Sequence, residues 1–403
     1  NDPPTTEIYT SDVSSAASDV YKRQGMVHIP SENPPGNETE VSDYVTELLS
    51  SQGFNVEQVE SKPNRVNTLG VLKGTGGGKT LLWNGHYDTV PVGNLDYWTV
   101  DPFGGEVKDG RIYGRGSGDM KGAIASTMVA AKALGNLNIQ LRGDLRLHAV
   151  ADEEFFGRYG TKYLCENGYI KVVDAAIVGE ASTRDGKIMA RPAVRGRTLV
   201  NIHVKGRSAH SSRPDMGVNA VLKMSKVLLA IDETQFSFPR HKLLPDPTIA
   251  PGTTINGGTK DNIIPEDCEA ICDVRTVPGM DPEQVIQDIR TVVDGLKTND
   301  PELDVNVESP LSKPPSEIPL DHPLYRSSAK ATQQVVGYGL EPLGASGSND
   351  TSYLTNLAGL PAMAFGPGGG NAHAPDEWAD VETLVAFAKI YGLMMLDICG
   401  YEV

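Results

Sequence analysis

The stretch Leu81-Leu82-Trp83-Asn84-Gly85-His86-Tyr87-Asp88-Thr89-Val90-Pro91 decides the fold. Its apolar start, followed by Gly-His-x-Asp, predicts a buried strand that brings an imidazole and a carboxylate to its C-terminal end. Open α/β sheets bind their ligands at that edge. We therefore expect His86 to be a metal ligand. Asp88 follows on the same face of an extended chain, where it is expected to accept the other ring N–H of His86 and fix its tautomer.

Two further apolar segments end in acidic residues. Residues 145–151 are followed by Asp152-Glu153-Glu154, and residues 175–179 are followed by Glu180. Both segments have the length and composition of buried strands. We therefore expect their carboxylates at the same sheet edge as His86, where they would repel one another strongly without cations.

Two glycine-rich loops supply further candidate ligands. A loop within residues 98–122 carries Asp119 into a predicted helix over 123–134. A second loop follows a predicted strand at 361–365 and carries His373. Glycine allows the backbone of such loops to approach a ligand closely.

The candidate ligands are therefore two imidazoles and three carboxylates: His86, Asp119, Glu154, Glu180 and His373. Mixed nitrogen and oxygen ligation suits zinc, cobalt or manganese. If Asp119 bridges two ions about 3.5–4 Å apart, the pKa of a shared water falls toward ~7. Glu153 points away from its neighbour Glu154, so we expect it to act as the general base.

Composition limits the possible partners and the location. The chain has 403 residues and a formal charge of -16, which opposes binding to nucleic acid or an anionic membrane. No apolar run reaches membrane-spanning length, and no signal-peptide pattern is evident. The four cysteines form no Cys-x-x-Cys pair, so we expect reduced thiols and a cytoplasmic protein: Cys165, Cys268, Cys272 and Cys399.

Four segments are expected along the chain. Residues 1–24 resemble translated adaptor sequence and are predicted to be a non-native or disordered leader. Residues 25–196 and 311–403 are predicted to form the two parts of an α/β catalytic domain. Ser312-Lys313-Pro314-Pro315 is predicted to be the linker that returns to its second part, where helices are expected around 323–336 and at 381–395. Residues 197–310 show the order β-α-β-β-α-β, which predicts an inserted α+β ferredoxin-like domain.

The loop Gly74-Thr75-Gly76-Gly77-Gly78-Lys79-Thr80 could be taken for a phosphate-binding loop. That motif requires glycine at position 73, where this chain has Lys73. The loop also joins two predicted strands, with no helix N-terminus to hold phosphate. We expect a β-hairpin here.

The motifs together resemble the M20 family of co-catalytic zinc amidohydrolases and peptidases. They are Gly-His86-Tyr-Asp88-Thr-Val-Pro, Gly-Arg-Gly-Ser-Gly-Asp119-Met-Lys-Gly, Asp-Glu153-Glu154-Phe-Phe-Gly, Gly-Glu180 and Ala-His373. The resemblance implies a mixed-sheet zinc-hydrolase domain with an inserted lid and dimerisation domain. It implies two Zn²⁺ ions per chain, one held by His86, Asp119 and Glu180, the other by Asp119, Glu154 and His373. It also implies a cis peptide after Asp119.

The resemblance implies further roles in the inserted domain and beyond it. His210, in Gly-Arg-Ser-Ala-His-Ser-Ser, would reach the site of a neighbouring subunit and polarise the scissile carbonyl. Asn262 and Arg275 would bind the substrate carboxylate, and bidentate capture is a physical reason for the arginine. Gly347 and Ser348 would line the substrate pocket. A homodimer through the inserted domain is implied as well.

The expected function is hydrolysis of the amide bond of N-acyl amino acids by a dinuclear-zinc-activated water, with Glu153 as general base. A dipeptidase or carboxypeptidase remains the alternative, because it needs the same centre. A non-catalytic binding protein on the same fold is the rival from another class, and loss of Glu153 or of a metal ligand would indicate it. A phosphoesterase is disfavoured, since only Arg275 marks a basic pocket.

Overall fold

The computed structural model describes residues 24–402, and the predicted leader lies outside this range except for Gln24. Contacts divide the chain into two compact units. The first comprises residues 24–193, 317–343 and 349–402. The second comprises Val194–Ser316 and Gly344–Ser348. The predicted insertion 197–310 falls within the second unit, which also takes in the short segment 344–348.

The first unit contains strands and helices throughout its length. Its strands are β1 (Asn55–Lys62), β2 (Arg65–Leu72), β3 (Leu81–His86), β4 (Val107–Lys108), β5 (Arg111–Tyr113), β6 (Gln140–Leu141), β7 (Leu145–Val150), β8 (Ala175–Ala181), β9 (Thr183–Arg184), β10 (Lys187–Val194), β15 (Ser316–Glu317), β16 (Glu341–Ala345), β17 (Ala362–Gly366), β18 (Gly369–Gly370), β19 (Trp378–Asp380) and β20 (Tyr401–Glu402). Strands β10, β15 and β16 each include one or two residues of the second unit. Its helices are α1 (Thr39–Ser51), α2 (Gly122–Asn136), α3 (Thr161–Glu166), α6 (Pro323–Val336), α7 (Thr351–Asn356) and α8 (Val381–Cys399).

A mixed sheet forms the centre of the first unit, in the order β1-β2-β7-β3-β8-β17-β10, with β9, β15 and β16 beside β10. Strands β7, β3, β8 and β17 run parallel. Strands β1 and β2 at one side and β10 at the other are antiparallel to their neighbours. Every residue of β3 is buried, as expected for a strand covered on both faces. The predicted mixed α/β sheet is confirmed.

The predicted hairpin at residues 74–80 is wrong. Strand β7 lies between β2 and β3, antiparallel to the first and parallel to the second. The glycine loop therefore crosses over an intervening strand. The Gly78 backbone comes so close to Gly143 that an added Cβ would lie 2.2 Å from the Gly143 nitrogen. The glycines allow this close approach of backbones, which the local sequence cannot distinguish from a tight turn.

Helices cover both faces of the sheet. Helices α2 and α8 pack together on one face, where Trp83 meets an aromatic cluster of Phe365, Phe387 and Tyr391. Helices α3 and α7 pack on each other at the opposite face, next to a core that contains Leu82. This three-layer arrangement holds the carboxyl ends of the parallel strands at one edge.

Local signals at the helix ends explain two of these helices. His322 caps the start of helix α6, where its side chain accepts the Leu324 N–H, and Gly337, with φ +80°, follows the last helical residue. Its predicted range, 323–336, is confirmed. Helix α8 begins after Asp380, whose carboxylate accepts the Thr383 N–H at 2.7 Å. It continues to Cys399, four residues beyond the predicted end at 395, because its last turns remain buried.

The second unit has the predicted β-α-β-β-α-β order. Its elements are β11 (Gly196–Lys205), α4 (Ala220–Glu233), β12 (Thr248–Gly257), β13 (Asp267–Thr276), α5 (Pro282–Asn299) and β14 (Asp304–Lys313). The strands form an antiparallel sheet in the order β12-β13-β11-β14, typical of a ferredoxin-like fold.

Alternating residues of the second sheet form a separate core with the two helices. Val200, Ile202 and Val204 of β11 are buried together with Val227 of α4 and Ile289 of α5. This period-two burial is that of a sheet covered on one face. Across residues 24–402, no helix combines the length and apolar content required to cross a bilayer.

The return from the second unit differs in detail from the prediction of a linker at 312–315. Ser312 and Lys313 still pair with Thr198 and Arg197 in the sheet. The strand ends only where Pro314 and Pro315 follow, because proline has no N–H for the ladder.

Candidate metal centre

The parallel strands bring the predicted ligands to one edge. His86 is the last residue of β3, and Glu180 lies near the end of β8. A short 3-10 turn, Glu153–Phe155, follows β7 and carries Glu154. His373 lies in the glycine-rich loop beyond β17. The carboxyl ends of neighbouring parallel strands meet at the same sheet edge, which explains how residues so distant in sequence converge.

The predicted ligands form two groups that share one carboxylate. His86, Asp119 and Glu180 form the first, and Asp119, Glu154 and His373 form the second, with the ligand atoms of each group within 4.8 Å of one another. Asp119 Oδ1 lies 3.2 Å from Nε2 of His86, and Oδ2 lies 3.2 Å from Nε2 of His373. The two oxygens of Asp119 thus face different imidazoles, as a bridging ligand requires.

The cluster carries more negative charge than its imidazoles can offset. Burial, and then the charge of Asp119, raises the pKa of the Glu154 carboxyl to about 7. Burial also raises the pKa of Glu180 well above its ordinary value. Hydrogen bonds to Asp119 and Glu154 raise the pKa of His373 to about 10. Because of these raised pKa values, the groups hold protons more tightly than they would in water, and divalent cations would replace those protons. The nitrogen and oxygen donors fit zinc, cobalt or manganese.

The contact between His86 and Asp88 differs from the expected one. Nδ1 of His86 lies 2.9 Å from the backbone carbonyl oxygen of Asp88 and 3.5 Å from its carboxylate. The carboxylate instead accepts the backbone N–H groups of Glu153 at 3.0 Å and Glu154 at 3.2 Å. The tautomer of His86 is therefore set by a main-chain oxygen, while the Asp88 carboxylate holds the turn that carries both glutamates.

The sequence profile of Peptidase family M20/M25/M40 matches residues 82–397, most of the chain. The chain belongs to this family. The resemblance drawn from the five motifs is thereby confirmed, and the family is one of metal-dependent amidohydrolases and peptidases.

Individual relatives of this M20 chain are similar over nearly their whole length. A probable succinyl-diaminopimelate desuccinylase of Staphylococcus epidermidis is 27% identical, covering 91% of this chain and 94% of the relative. Acetylornithine deacetylase of Myxococcus xanthus is 30% identical, covering 89% and 92%. Among solved structures, an M20 family metallo-carboxypeptidase of Sulfolobus solfataricus superposes with a TM-score of 0.79 at 19% identity, covering 95% and 99%. At that identity the structural likeness concerns the fold, a catalytic domain with a lid domain.

A buried network of polar side chains contacts the Asp88 carboxylate and was not predicted from the sequence. Asn33 donates to the carboxylates of Asp88 at 2.9 Å and Asp152 at 3.1 Å. Arg65 donates to the amide oxygen of Asn33 at 2.7 Å and pairs with Glu38 at 2.5 Å. The network joins segments that lie far apart in sequence, and its residues carry no motif, so no local signal could have identified them.

The loop that carries Asp119 has its own buried supports. The Asp119–Met120 peptide bond is cis, as the family resemblance implied. Gly116 has φ +80°, and an added Cβ would lie 2.6 Å from Thr89. Lys121 is fully buried and donates to the carbonyl oxygens of Met26 at 3.0 Å and Ile29 at 2.8 Å. Its place in the M20 motif gave no indication that it anchors the start of the described chain.

The predicted substrate residues lie in the second unit. His210 is exposed, and its Nδ1 is 3.1 Å from the Ser212 nitrogen, which donates to it. The backbone of His210 forms a bridge with Ile263, and Ser211 donates to the carbonyl oxygen of Asn262 at 3.0 Å. His210 and Asn262 therefore lie on adjoining segments.

Arg275 is on β13 and is already engaged. Its Nε and Nη2 donate to Asp273 at 2.5 and 3.2 Å. This fork uses two of the five N–H donors of a guanidinium, which leaves others for a substrate carboxylate. Gly347 and Ser348 belong to the segment Gly344–Ser348, which clusters with the second unit.

Proposed function

We propose that this M20 chain hydrolyses the amide bond of N-acyl amino acids. The observation that carries the proposal is the pair of ligand groups that share Asp119, with Glu153 in the turn beside them. The proposed cofactors are two Zn²⁺ ions per chain, with Co²⁺ or Mn²⁺ as substitutes. His86, Asp119 and Glu180 would hold one ion, and Asp119, Glu154 and His373 the other.

The bound ions, Glu153 and Asp88 would have different roles in the reaction. When bound, the two ions would polarise the acyl carbonyl and lower the pKa of the attacking water. Glu153 takes one proton of that water while the water oxygen bonds to the acyl carbon, and it then passes the proton to the nitrogen of the leaving amine. The C–N bond breaks, and a carboxylic acid and a neutral amine form. Asp88 fixes the orientation of Glu153 through the hydrogen bond to its backbone N–H.

The substrate contacts of the proposal come from the second unit. His210 would stabilise the developing oxyanion in a neighbouring subunit's site. Arg275 and Asn262 would bind the free carboxylate of the amino acid, and Gly347 and Ser348 would line the pocket. A cytoplasmic location is part of the proposal and is supported by four unpaired cysteines.

The choice of an acyl group over a peptide rests on the relatives. The two relatives described above carry the names of a desuccinylase and a deacetylase. A dipeptidase or carboxypeptidase is the second candidate, because the M20 structure of similar fold is a metallo-carboxypeptidase. Both reactions need the same centre. A purely binding function is disfavoured, because the chain has Glu153 and all five predicted ligands.

A substrate panel tests the reaction class. The protein is assayed with zinc, cobalt or manganese added, and the release of free amine is measured. We expect faster release from acetyl, succinyl or formyl amino acids than from dipeptides. Faster turnover of dipeptides would assign the chain to the peptidase branch. If two metals bind and nothing in the panel turns over, the proposed reaction is wrong.

We also propose that the chain forms a homodimer through the second unit. Within residues 24–402, strand β12 pairs on one side only, at the end of its sheet, and so offers an unpaired edge. Leu222 and Leu229 of the contacting helix α4, and Ile255 of β12, are more than half exposed at 62%, 58% and 52%. An apolar patch beside a strand edge is suited to a second copy of itself across a two-fold axis.

The dimer is tested by measuring mass in solution. Light scattering should give twice the chain mass for the wild type. We expect Leu229→Glu to give a monomer, because it places a charge in the apolar patch. Glu233→Gln, at the end of the same helix, should leave the mass unchanged. A wild-type monomer at micromolar concentration would contradict the proposal.

A further inference from the structure

Glu377 is a buried carboxylate that organises the loop carrying Asp119. Its residue exposure is 1%. Its Oε1 accepts the backbone N–H of Gly118 at 3.1 Å and that of Asp119 at 3.0 Å. Its own carbonyl oxygen accepts the N–H of Gly114 at 2.8 Å. One residue therefore holds the glycine-rich loop at three points.

Arg115 holds the other oxygen of Glu377. Its Nη1 donates to Oε2 at 2.5 Å, and Arg115 itself is 2% exposed. Its Nη2 lies 3.5 Å from the carbonyl oxygen of Pro91, and its guanidinium lies 5.2 Å from the ring centroid of Trp98. Because Pro91 belongs to the stretch that follows His86, the Arg115–Glu377 pair also contacts the loop beyond β3.

Glu377 also lies at the end of the loop that carries His373. Three residues of that loop have the positive φ values that are uncommon outside glycine: Asn371 at +56°, His373 at +63° and Asp376 at +54°. Such conformations persist only where the surroundings hold them. Asp376 accepts the N–H and the hydroxyl of Thr99, both at 2.8 Å. The next residue, Glu377, is buried and bound to the Asp119 loop, so the two residues together fix the end of the His373 loop.

We propose that Glu377 is a positioning residue of the metal centre, which holds Asp119 and His373 in fixed relation with Arg115 as its support. Asp119 must present one oxygen to each ligand group, and a small rotation of its peptide would misplace both oxygens. The N–H of Asp119 is itself bound by Glu377, so the side chain controls that rotation. The inference rests on the proposed metal centre and is independent of the substrate.

A purely structural role would be that of any carboxylate that holds a loop through an ion pair and a backbone N–H. Asp144, directly before β7, is such a residue: its Oδ2 pairs with Lys73 at 2.7 Å, and its Oδ1 accepts the N–H of Gly74 at 3.0 Å. Asp144 precedes the amino end of β7, whereas the predicted ligand Glu154 follows the carboxyl end of that strand. Asp144→Asn therefore removes a charge and weakens the hold on a glycine-rich loop, as Glu377→Gln does, without a link to Asp119.

The test measures metal binding. Glu377→Gln keeps the shape of the side chain but turns an uncharged amide toward Arg115 and weakens the hold on the Asp119 loop. We expect this variant to bind metal about 10–100-fold more weakly, the usual effect of removing a group that orients a ligand. Competition with a chromophoric chelator measures the affinity for zinc and cobalt, and the absorption spectrum of the cobalt protein should change. Both ions should be affected, because Asp119 serves both groups.

The control separates positioning from stability. Asp144→Asn is expected to lower the unfolding midpoint of the metal-free protein and to retain wild-type metal affinity. Wild-type affinity and cobalt spectrum in Glu377→Gln would overturn the inference, as would an equal loss of affinity in Asp144→Asn. If Glu377→Gln does not fold, Glu377→Asp keeps the charge with a shorter reach, and the same loss is expected. A wild type that binds no metal would contradict the proposed function itself.

Discussion

Replacing Glu153 by alanine is expected to lower kcat by about 10²- to 10⁴-fold, the usual contribution of a positioned proton-transfer group. Glu153 is 9% exposed as a residue in the turn after β7, and its backbone N–H is bound by the buried Asp88 carboxylate. Neither ligand group includes Glu153. The substitution should therefore lower kcat and change KM little. Steady-state kinetics on the best substrate of the panel measure both constants.

Metal content and an isosteric variant control this experiment. Metal analysis should still find two ions per chain in Glu153→Ala, because every predicted ligand is intact. Glu153→Gln keeps the size of the side chain but cannot take a proton, so it should be as inactive as the alanine variant. Activity of Glu153→Gln within tenfold of the wild type would exclude general-base catalysis by this residue.

Replacing Asp119 by alanine is expected to remove both metals and all measurable turnover. Asp119 is the only residue shared by the two ligand groups among the described residues, and its oxygens lie 3.2 Å from both imidazoles. Without it, each group keeps two ligands, and Glu154 and Glu180 lose the bridge that would bring the ions together. Metal analysis after dialysis against a weak chelator gives the ion count per chain.

Single-ligand variants refine this result. His86→Ala and His373→Ala each remove one ligand from one group, so each variant should lose one ion before the other. Asp96→Asn changes an exposed aspartate in the loop after β3 and should retain two ions and full activity. Retention of two tightly bound ions by Asp119→Ala would show that this residue does not bridge them.

Much of the candidate metal centre could be predicted from the sequence because its signals are local. An apolar strand that ends in His86, and others followed by Glu154 or Glu180, can be recognised within about ten residues. Parallel strands then place these ends together whatever their order in the sheet. The same locality explains helix α6, since Pro323 at its start and Gly337 after its end mark its limits.

Strand order and the pairing of buried polar groups were decided only by the tertiary structure. The residues of the loop at 74–80 fit a hairpin, and only the insertion of β7 between β2 and β3 makes it a crossover. The carboxylate of Asp88 accepts N–H groups of Glu153 and Glu154, which no spacing in its own strand could indicate.

The residues that hold the candidate ligands in place likewise became visible only in the tertiary structure. Asn33, Arg65 and Glu377 join segments that are distant in sequence, and each has the residue type of an ordinary surface position. By itself, the sequence determined the candidate ligands, the strands and loops that carry them and the inserted ferredoxin-like unit. Only the tertiary structure decided which buried donors and acceptors pair around those ligands. Burial makes an unpaired polar group costly, so these pairings are selected by the whole packed interior and not by neighbours in the chain.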